Sequence, residues 1–306
     1  MLIFSRIEDF PALSKNTVSA IGNFDGIHLG HRKILQFLVQ ESKKQDLPSL
    51  VLTFSPHPEK FFGKKPVQMI QTLNQRLEEI KKNNIDMAFV LPFSDQIANL
   101  SSRDFIQKIL IEMVHAEEII VGENFRFGKN REGNSRILQR LSSICGFKFY
   151  SLPTEKKDGR VVSSSLIRIH LNRGEIQKAN RLLGRPYEIT GTVIKGQSRG
   201  KNLGYPTANI SSENEIFPSG IFFTTVETGS ERRPSLTSIG TRPTFDQKET
   251  VIEVYIIDFS ANLYGQTLKI QLLKKLRDEI KFDTPEQLAD QITKDLSAAK
   301  SYFRLS

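Results

Sequence analysis

Apolar residues along the first 184 positions follow two alternating rhythms. Short runs dense in β-branched and aromatic side chains read as strands: TVSAIGNF (17–24), SLVLTF (49–54), MAFVLPF (87–93), EIIVGENF (118–125) and FKFYSLP (147–153). Between them the apolar positions recur at helical spacing. In HRKILQFLVQESKK, Ile34, Leu35, Leu38 and Val39 share one face. TLNQRLEEIKKNN and SSRDFIQKILIEMV repeat the pattern, the latter with a Ser101/Asp104 capping arrangement. Strand–helix alternation predicts an α/β domain built on a doubly wound parallel sheet, with helices on both faces. Ligands then sit at the carboxyl ends of the strands.

The rhythm changes after SSSLIRIHLNRGEIQKANRLLGRPY, where Gly184 and Pro186 close the last helix of the first part. EITGTVIKG, YPTANI, GIFFTTVETG, LTSIGTRPTF, TVIEVYIIDF and QTLKIQLL follow, with turn residues between them and no helix-length pattern. This predicts a small antiparallel β-barrel or sandwich. One helix ends the chain, TPEQLADQITKDLSAAKSYF, with Thr284 as N-cap, Pro285 at N1 and Gln287 completing a capping box. The boundary is expected near residue 185, giving domains 1–184 and 185–306.

Composition narrows the function classes. A 38% hydrophobic and 25% charged chain is of ordinary soluble type, so neither a fibrous nor a disordered reading applies. The formal charge of +9 suits an anionic partner, either nucleic acid or nucleotide phosphates. The basic residues are scattered, with only short pairs such as Lys43-Lys44 and Lys274-Lys275, so no nucleic-acid partner is expected. Arg6, Glu8 and Asp9 interrupt the first apolar residues, and no run approaches the ~20 residues of a membrane span. Cys145 is the sole cysteine, which rules out an intrachain disulfide. The expectation is a soluble protein of the reducing cytoplasm with no membrane partner.

The chemistry concentrates in a few motifs. GNFDGIHLGH (22–31) places Gly22, Gly26 and Gly30 around His28 and His31, at a strand end where a helix begins. The histidines could ligate a metal, act as acid and base, bind phosphate or simply pack. No carboxylate or thiol stands at a metal-ligand spacing. Free N–H groups at a helix start favour phosphate, and two histidines three apart can point the same way. The turn lacks G-x-G-x-x-G and a Walker lysine. GKNREGNS (128–135) approaches a P-loop but has Asn134 where the lysine belongs. SSSLIR (163–168) is a second helix start with hydroxyls and a cation, suited to phosphates.

H-x-G-H after a first parallel strand, paired with SSSLIR, resembles the nucleotidyltransferase superfamily, with Ser165 where a threonine is usual. TFSPHPEKFF (53–62) and VGENFRFG (121–128) narrow the resemblance to bacterial bifunctional riboflavin kinase/FMN adenylyltransferases. In the second half GQSRGKNLGYPTANI (196–210), SIGTRPTF, VIEVYIIDF, LYG and KLRDEIKF follow in that family's order. The resemblance implies MgATP-dependent phosphorylation of riboflavin to FMN, then adenylyl transfer from a second ATP, giving FAD. The partners are riboflavin, FMN and ATP.

The residue roles follow from the same resemblance. Glu253 is the kinase base, and His28 and His31 serve adenylyl transfer. Thr207 and Asn209 hold Mg²⁺ with ATP. Gly22, Phe24, Asp25, Gly26, Gly30, His57, Ser163, Ser164, Ser165 and Arg168 bind ATP or its phosphates in the first domain, and Gly196, Gly200 and Gly204 do so in the second. Asn124, Phe125 and Arg277 contact the flavin. Read without the family, Phe125 and Phe127 suit a core as well as a flat ring. Glu253 suits an edge as well as a site, although alternation places it beside Tyr255 and Ile257.

Two rivals have distinct signatures. A single-activity enzyme would have one degenerate motif set. A non-enzymatic flavin sensor or RNA-binding regulator would lack Glu253, Thr207 or Asn209. Both motif sets and all three residues are present.

Overall fold

A computed structural model describes residues 1–63, 66–196, 205–229, 231–243 and 248–305. The chain divides into two compact units, Met1–Ser164 and Ser165–Ser306.

The first unit is built on a six-stranded sheet. Its strands are β1 (Leu2–Phe4), β2 (Thr17–Ile21), β3 (Ser49–Ser55), β4 (Met87–Pro92), β5 (Ala116–Gly122) and β6 (Lys148–Leu152), in spatial order β1-β4-β3-β2-β5-β6, and a separate two-stranded ribbon of β7 (Lys156–Lys157) and β8 (Arg160–Val161) follows β6. Every pairing is parallel. The strand alternation reads directly as two cores. Ile21, Leu52, Phe89 and Val121 face one layer, with Ile106, Ile109 and Leu138 packed over them. Ala20, Val51, Val90 and Ile120 face the other, covered by Leu35 and Leu38 of α1 (Leu29–Gln45) and by Leu77 and Ile80 of α3 (Leu73–Lys81). Between α1 and α3 lies the single turn α2 (Pro58–Phe61). The order of connection reverses between β2 and β5. That is the switch point where the crevice of such a sheet opens.

Several predicted strands run past the observed ends. GNF of TVSAIGNF, ENF of EIIVGENF and the end of MAFVLPF leave the sheet as loops. Phe24, at φ 51°, lies outside the extended region altogether. The 101–114 helix begins as predicted, since Ser101 Oγ accepts from Asp104 N–H. From Phe105 to Met113 it is wound as a π-helix, with Val114 N–H donating to the Ile109 carbonyl. Phe105, Ile106, Ile109 and Leu110 stay on the buried face. Asn134, where a P-loop would need lysine, caps the helix Ser135–Cys145 by accepting from Arg136 N–H and Ile137 N–H.

The second unit begins with two helices, of which the first, Ser164–Asn172, starts one residue earlier; the second is Ile176–Leu183. Gly184, at φ 71°, caps the second as expected. Asn180 ties that helix to the strands that follow, donating to the Leu272 carbonyl (2.8 Å) and accepting from Tyr187 N–H (2.7 Å). The units divide ahead of residue 185, and the helix Ile176–Leu183 packs with the strands that come after it.

Six antiparallel strands then close a barrel: β9 (Tyr187–Ile194), β10 (Ala208–Ser212), β11 (Gly220–Thr228), β12 (Glu231–Pro243), β13 (Lys248–Ile256) and β14 (Thr267–Arg277), in the order β10-β13-β12-β11-β14-β9. Closure, with β9 also paired to β10, settles barrel over sandwich. Phe222, Val226, Ile239, Val254, Leu268 and Ile270 are among its buried residues. The C-terminal helix, Pro285–Phe303, packs through Leu296, Ala299 and Phe303 against Phe223, Leu236 and Ile257. Thr284 caps it by accepting from Gln287 N–H, but the Gln287 side chain accepts from Asp283 N–H, one residue upstream of the expected box.

Candidate active sites

The first site lies at the carboxyl ends of β2 and β5. His28 is the N-cap of α1, and its Nδ1 accepts from His31 N–H at 3.3 Å. An accepting Nδ1 leaves Nε2 as the ring's hydrogen-bond donor. The two rings stack, with centroids 3.7 Å apart and planes 13° from parallel. Phe24 meets His31 edge-on at 5.2 Å. Two of the glycines make room for these rings. A Cβ at Gly30 would lie 3.3 Å from the His28 ring, and one at Gly22 would lie 3.3 Å from Phe24. Gly26 has φ 88°, which favours glycine.

Asp25 is committed to the protein itself. Its buried carboxylate accepts from Ile70 N–H (3.1 Å) and Gln71 N–H (3.3 Å). Its backbone carbonyl accepts from the Ser164 hydroxyl at 2.8 Å. That bond joins the two motifs that sequence alone leaves 139 residues apart. Ser163 is half-buried, Ser165 is exposed and Arg168 is half-buried. His57 repeats the device of His28: it caps α2, and its Nδ1 accepts from Glu59 N–H at 3.2 Å. Asn124 is exposed just beyond β5. Phe125 stacks on Phe127 at 5.5 Å, and Phe127 is buried in the core, so that phenylalanine is a packing residue. The preceding Glu123 accepts from the Thr154 hydroxyl (2.7 Å) and Thr154 N–H (3.1 Å). These bonds hold its carboxyl below the usual range and tie the end of β5 to the end of β6.

Sequence reasoning missed Arg76. This α3 residue is 4% exposed and donates to the carbonyls of Asn23 (2.7 Å) and Phe54 (3.1 Å). Burial lowers its pKa, and neighbouring Asp25 pulls it back up. The available signal was a charge set at helical spacing among Leu73, Leu77 and Ile80.

The second site lies on the outer face of the barrel. In the β10–β13 register Asn209 is directly opposite Glu253, and in the β12–β13 register Ser238 is opposite Glu253 on the other side. Directly opposite residues share a face, so carboxylate, amide and hydroxyl stand side by side. Glu253 is half-buried. Two positions along, Tyr255 has its pKa raised, first by burial and then by Asp258 and Tyr205. Thr207 immediately precedes β10. Gly196 lies so close to Asn209 that any side chain there would run into the amide. Gly200 and Gly204 lie outside the described residues.

Arg277 is engaged within the barrel unit. Its guanidinium grips Asp295 of the C-terminal helix through Nε (3.0 Å) and Nη2 (2.7 Å), while Nη1 donates to the Asp278 carbonyl. Gln291 donates to the same carboxylate at 2.9 Å. Asp295→Ala is expected to destabilise the barrel unit by about 3–5 kcal/mol, because it leaves a largely buried guanidinium unpaired. Urea unfolding followed by circular dichroism measures this.

Among the described residues no group of three or more His, Cys, Asp or Glu side chains is arranged to hold a metal, and no helix is long and apolar enough to cross a membrane.

Comparison with known proteins matches both parts of the chain. The FAD synthetase family matches residues 10–166 and the riboflavin kinase family matches residues 183–303. A bifunctional riboflavin kinase/FMN adenylyltransferase of Haemophilus influenzae is 35% identical over 92% of this chain and 93% of its own. Proteins of that description in Buchnera aphidicola (33% identical, 100% of each chain) and Bacillus subtilis (34%, 94% of this chain, 92% of that one) are also similar. A solved Streptococcus pneumoniae structure titled a macrolide-efflux protein shares the fold, with a TM-score of 0.89, 28% identity and 98% and 99% of the two chains covered. With an α/β FAD synthetase module followed by a barrel riboflavin kinase module, the chain belongs to the bacterial family of bifunctional riboflavin kinase/FMN adenylyltransferases, transferases of flavin cofactor synthesis.

Proposed function

We propose that residues 185–306 convert riboflavin to FMN with Glu253 as base, and that residues 1–184 convert FMN to FAD around His28 and His31. The observation that carries the kinase half is the cross-strand placement of Asn209 against Glu253. In that reading Glu253 takes the proton of the riboflavin 5′-hydroxyl. The hydroxyl oxygen bonds to the γ-phosphorus of ATP, the γ-phosphorus–oxygen bond breaks and ADP leaves.

Thr207 and Asn209 offer neutral oxygens beside that carboxylate. Such donors suit a Mg²⁺ that arrives already carrying phosphate oxygens rather than a resident metal. Bound there, the ion would neutralise charge on the phosphates. Gly196, Gly200 and Gly204 are the glycines proposed to bind those phosphates.

In the first module a phosphate oxygen of FMN attacks the α-phosphorus of ATP, and pyrophosphate leaves. In this reading the rings of His28 and His57, each set in place by an Nδ1 that caps a helix, donate to phosphate through Nε2. His31 and the Ser163–Ser165 helix start with Arg168 complete the phosphate set. Asn124 and Phe125 serve the flavin here, as Arg277 does in the kinase module, and Gly22, Phe24, Asp25, Gly26 and Gly30 shape the turn that meets ATP. The proposed compartment is the cytoplasm.

The test is direct. The full chain with riboflavin, ATP and Mg²⁺ is expected to yield FMN and then FAD, separated by chromatography and read by fluorescence. FMN supplied with ATP is expected to give FAD and pyrophosphate. A preparation that makes neither flavin overturns the reading.

A further inference from the structure

The turn carrying His28 is held in a costly conformation. Phe24 has φ 51° and Ile27 φ 39°, in the left-handed region that a β-branched side chain seldom enters. Strain of this kind persists only where the surroundings over-determine it. Two things do so here. The side chains of Phe24 and Ile27 are 1% and 0% exposed, locked into the core under α1. The Asn23 carbonyl, directly before the strained residues, accepts from Arg76 Nη1 (2.7 Å) and from Thr53 Oγ1 (3.1 Å).

The other arm of Arg76 donates to the Phe54 carbonyl at the end of β3. Asn23 stands five residues before His28, and Phe54 stands three before His57. One planar fork therefore sets the spacing of two loops, each ending in a histidine that caps a helix through Nδ1.

We infer that Arg76, with Thr53, is a positioning residue for adenylyl transfer: it touches no substrate but fixes the backbone from which His28 and His57 reach the phosphates of ATP. The inference rests on the reading of the first site given above. It predicts a chemical consequence beyond stability, because displacing a catalytic group by about 1 Å can cost about 10²-fold in rate. Lysine is no substitute, since an ammonium lacks the flat fork that spans both carbonyls.

The test uses the full chain with Arg76→Lys and, separately, the near-isosteric Thr53→Val. FAD formation from FMN and ATP, the riboflavin kinase rate and the folded fraction are measured on the same samples. Per folded molecule, kcat for FAD formation is expected to fall about 10²-fold in Arg76→Lys and about tenfold in Thr53→Val. The KM for FMN should stay within about threefold, and the kinase rate should be unchanged. A purely structural role would lower the folded fraction and leave kcat alone. Should Arg76→Lys fail to fold, Thr53→Val decides.

Wild-type kcat in the folded variants overturns the inference. The failures of inference and reading separate cleanly. FAD synthesis surviving in His28→Ala sinks the site reading. Loss in His28→Ala with full activity in Arg76→Lys and Thr53→Val sinks only the positioning role.

Discussion

Glu253→Gln is expected to abolish FMN formation while FMN supplied from outside is still converted to FAD. The substitution keeps the size and shape of the side chain. It also keeps an oxygen and adds an amide beside Asn209 and Ser238, the residues opposite it across the barrel strands. What it removes is the capacity to accept a proton from the 5′-hydroxyl. Loss of a general base costs about 10²–10⁴-fold in kcat. The KM for riboflavin should change little, because the amide fills the same space. FAD formation, carried by a different compact unit, should stay within about twofold of wild type. The two rates on one preparation check this by flavin chromatography. An unimpaired kinase would remove Glu253 as the base and leave the cross-strand arrangement as scaffolding.

Sequence alone went far where the information is local. Strand and helix follow from the spacing of apolar residues within a dozen positions, so the switch from parallel α/β to antiparallel strands could be read directly, while barrel against sandwich waited on closure between β9 and β10. Alternation likewise placed Glu253 on a face with Tyr255. It could not name the residues opposite, which depend on register between strands far apart in the chain. Other features are invisible for the same reason. The three-residue strand Leu2–Phe4 exists only because β4 offers it a parallel edge. Asp25 reads as a ligand group in GNFDG, yet its carboxylate is taken by backbone N–H groups 45 and 46 residues away. Arg277, expected at the flavin, is also held by a carboxylate on a helix 18 residues on. In each case a polar side chain in a motif also bonds to a distant backbone or helix. Only assembly decides whether such a group faces a ligand or the protein.

His28 poses that question most sharply, because one ring caps α1 and is also the proposed phosphate donor. His28→Ala is expected to stop the pathway at FMN, with FAD formation down about 10²–10³-fold, as when one preorganised donor to a developing charge is removed. Kinase activity should be unchanged, so FMN accumulates. Alanine, however, deletes two things at once. It removes the ring that stacks on His31, and it removes the acceptor that caps α1. Losing a cap costs about 1 kcal/mol of stability and loosens the first turn, which could by itself disturb the site. His28→Asn separates the two effects, since asparagine is among the best N-caps and restores an acceptor for His31 N–H without a ring Nε2–H. If capping is the whole contribution, the asparagine variant should recover both thermal stability and FAD synthesis. If the ring meets phosphate, the asparagine variant should melt like the wild type and still be as slow as alanine. A stable, inactive His28→Asn is the expected result, and recovery of FAD formation to wild-type rates would assign His28 to the helix instead of the reaction.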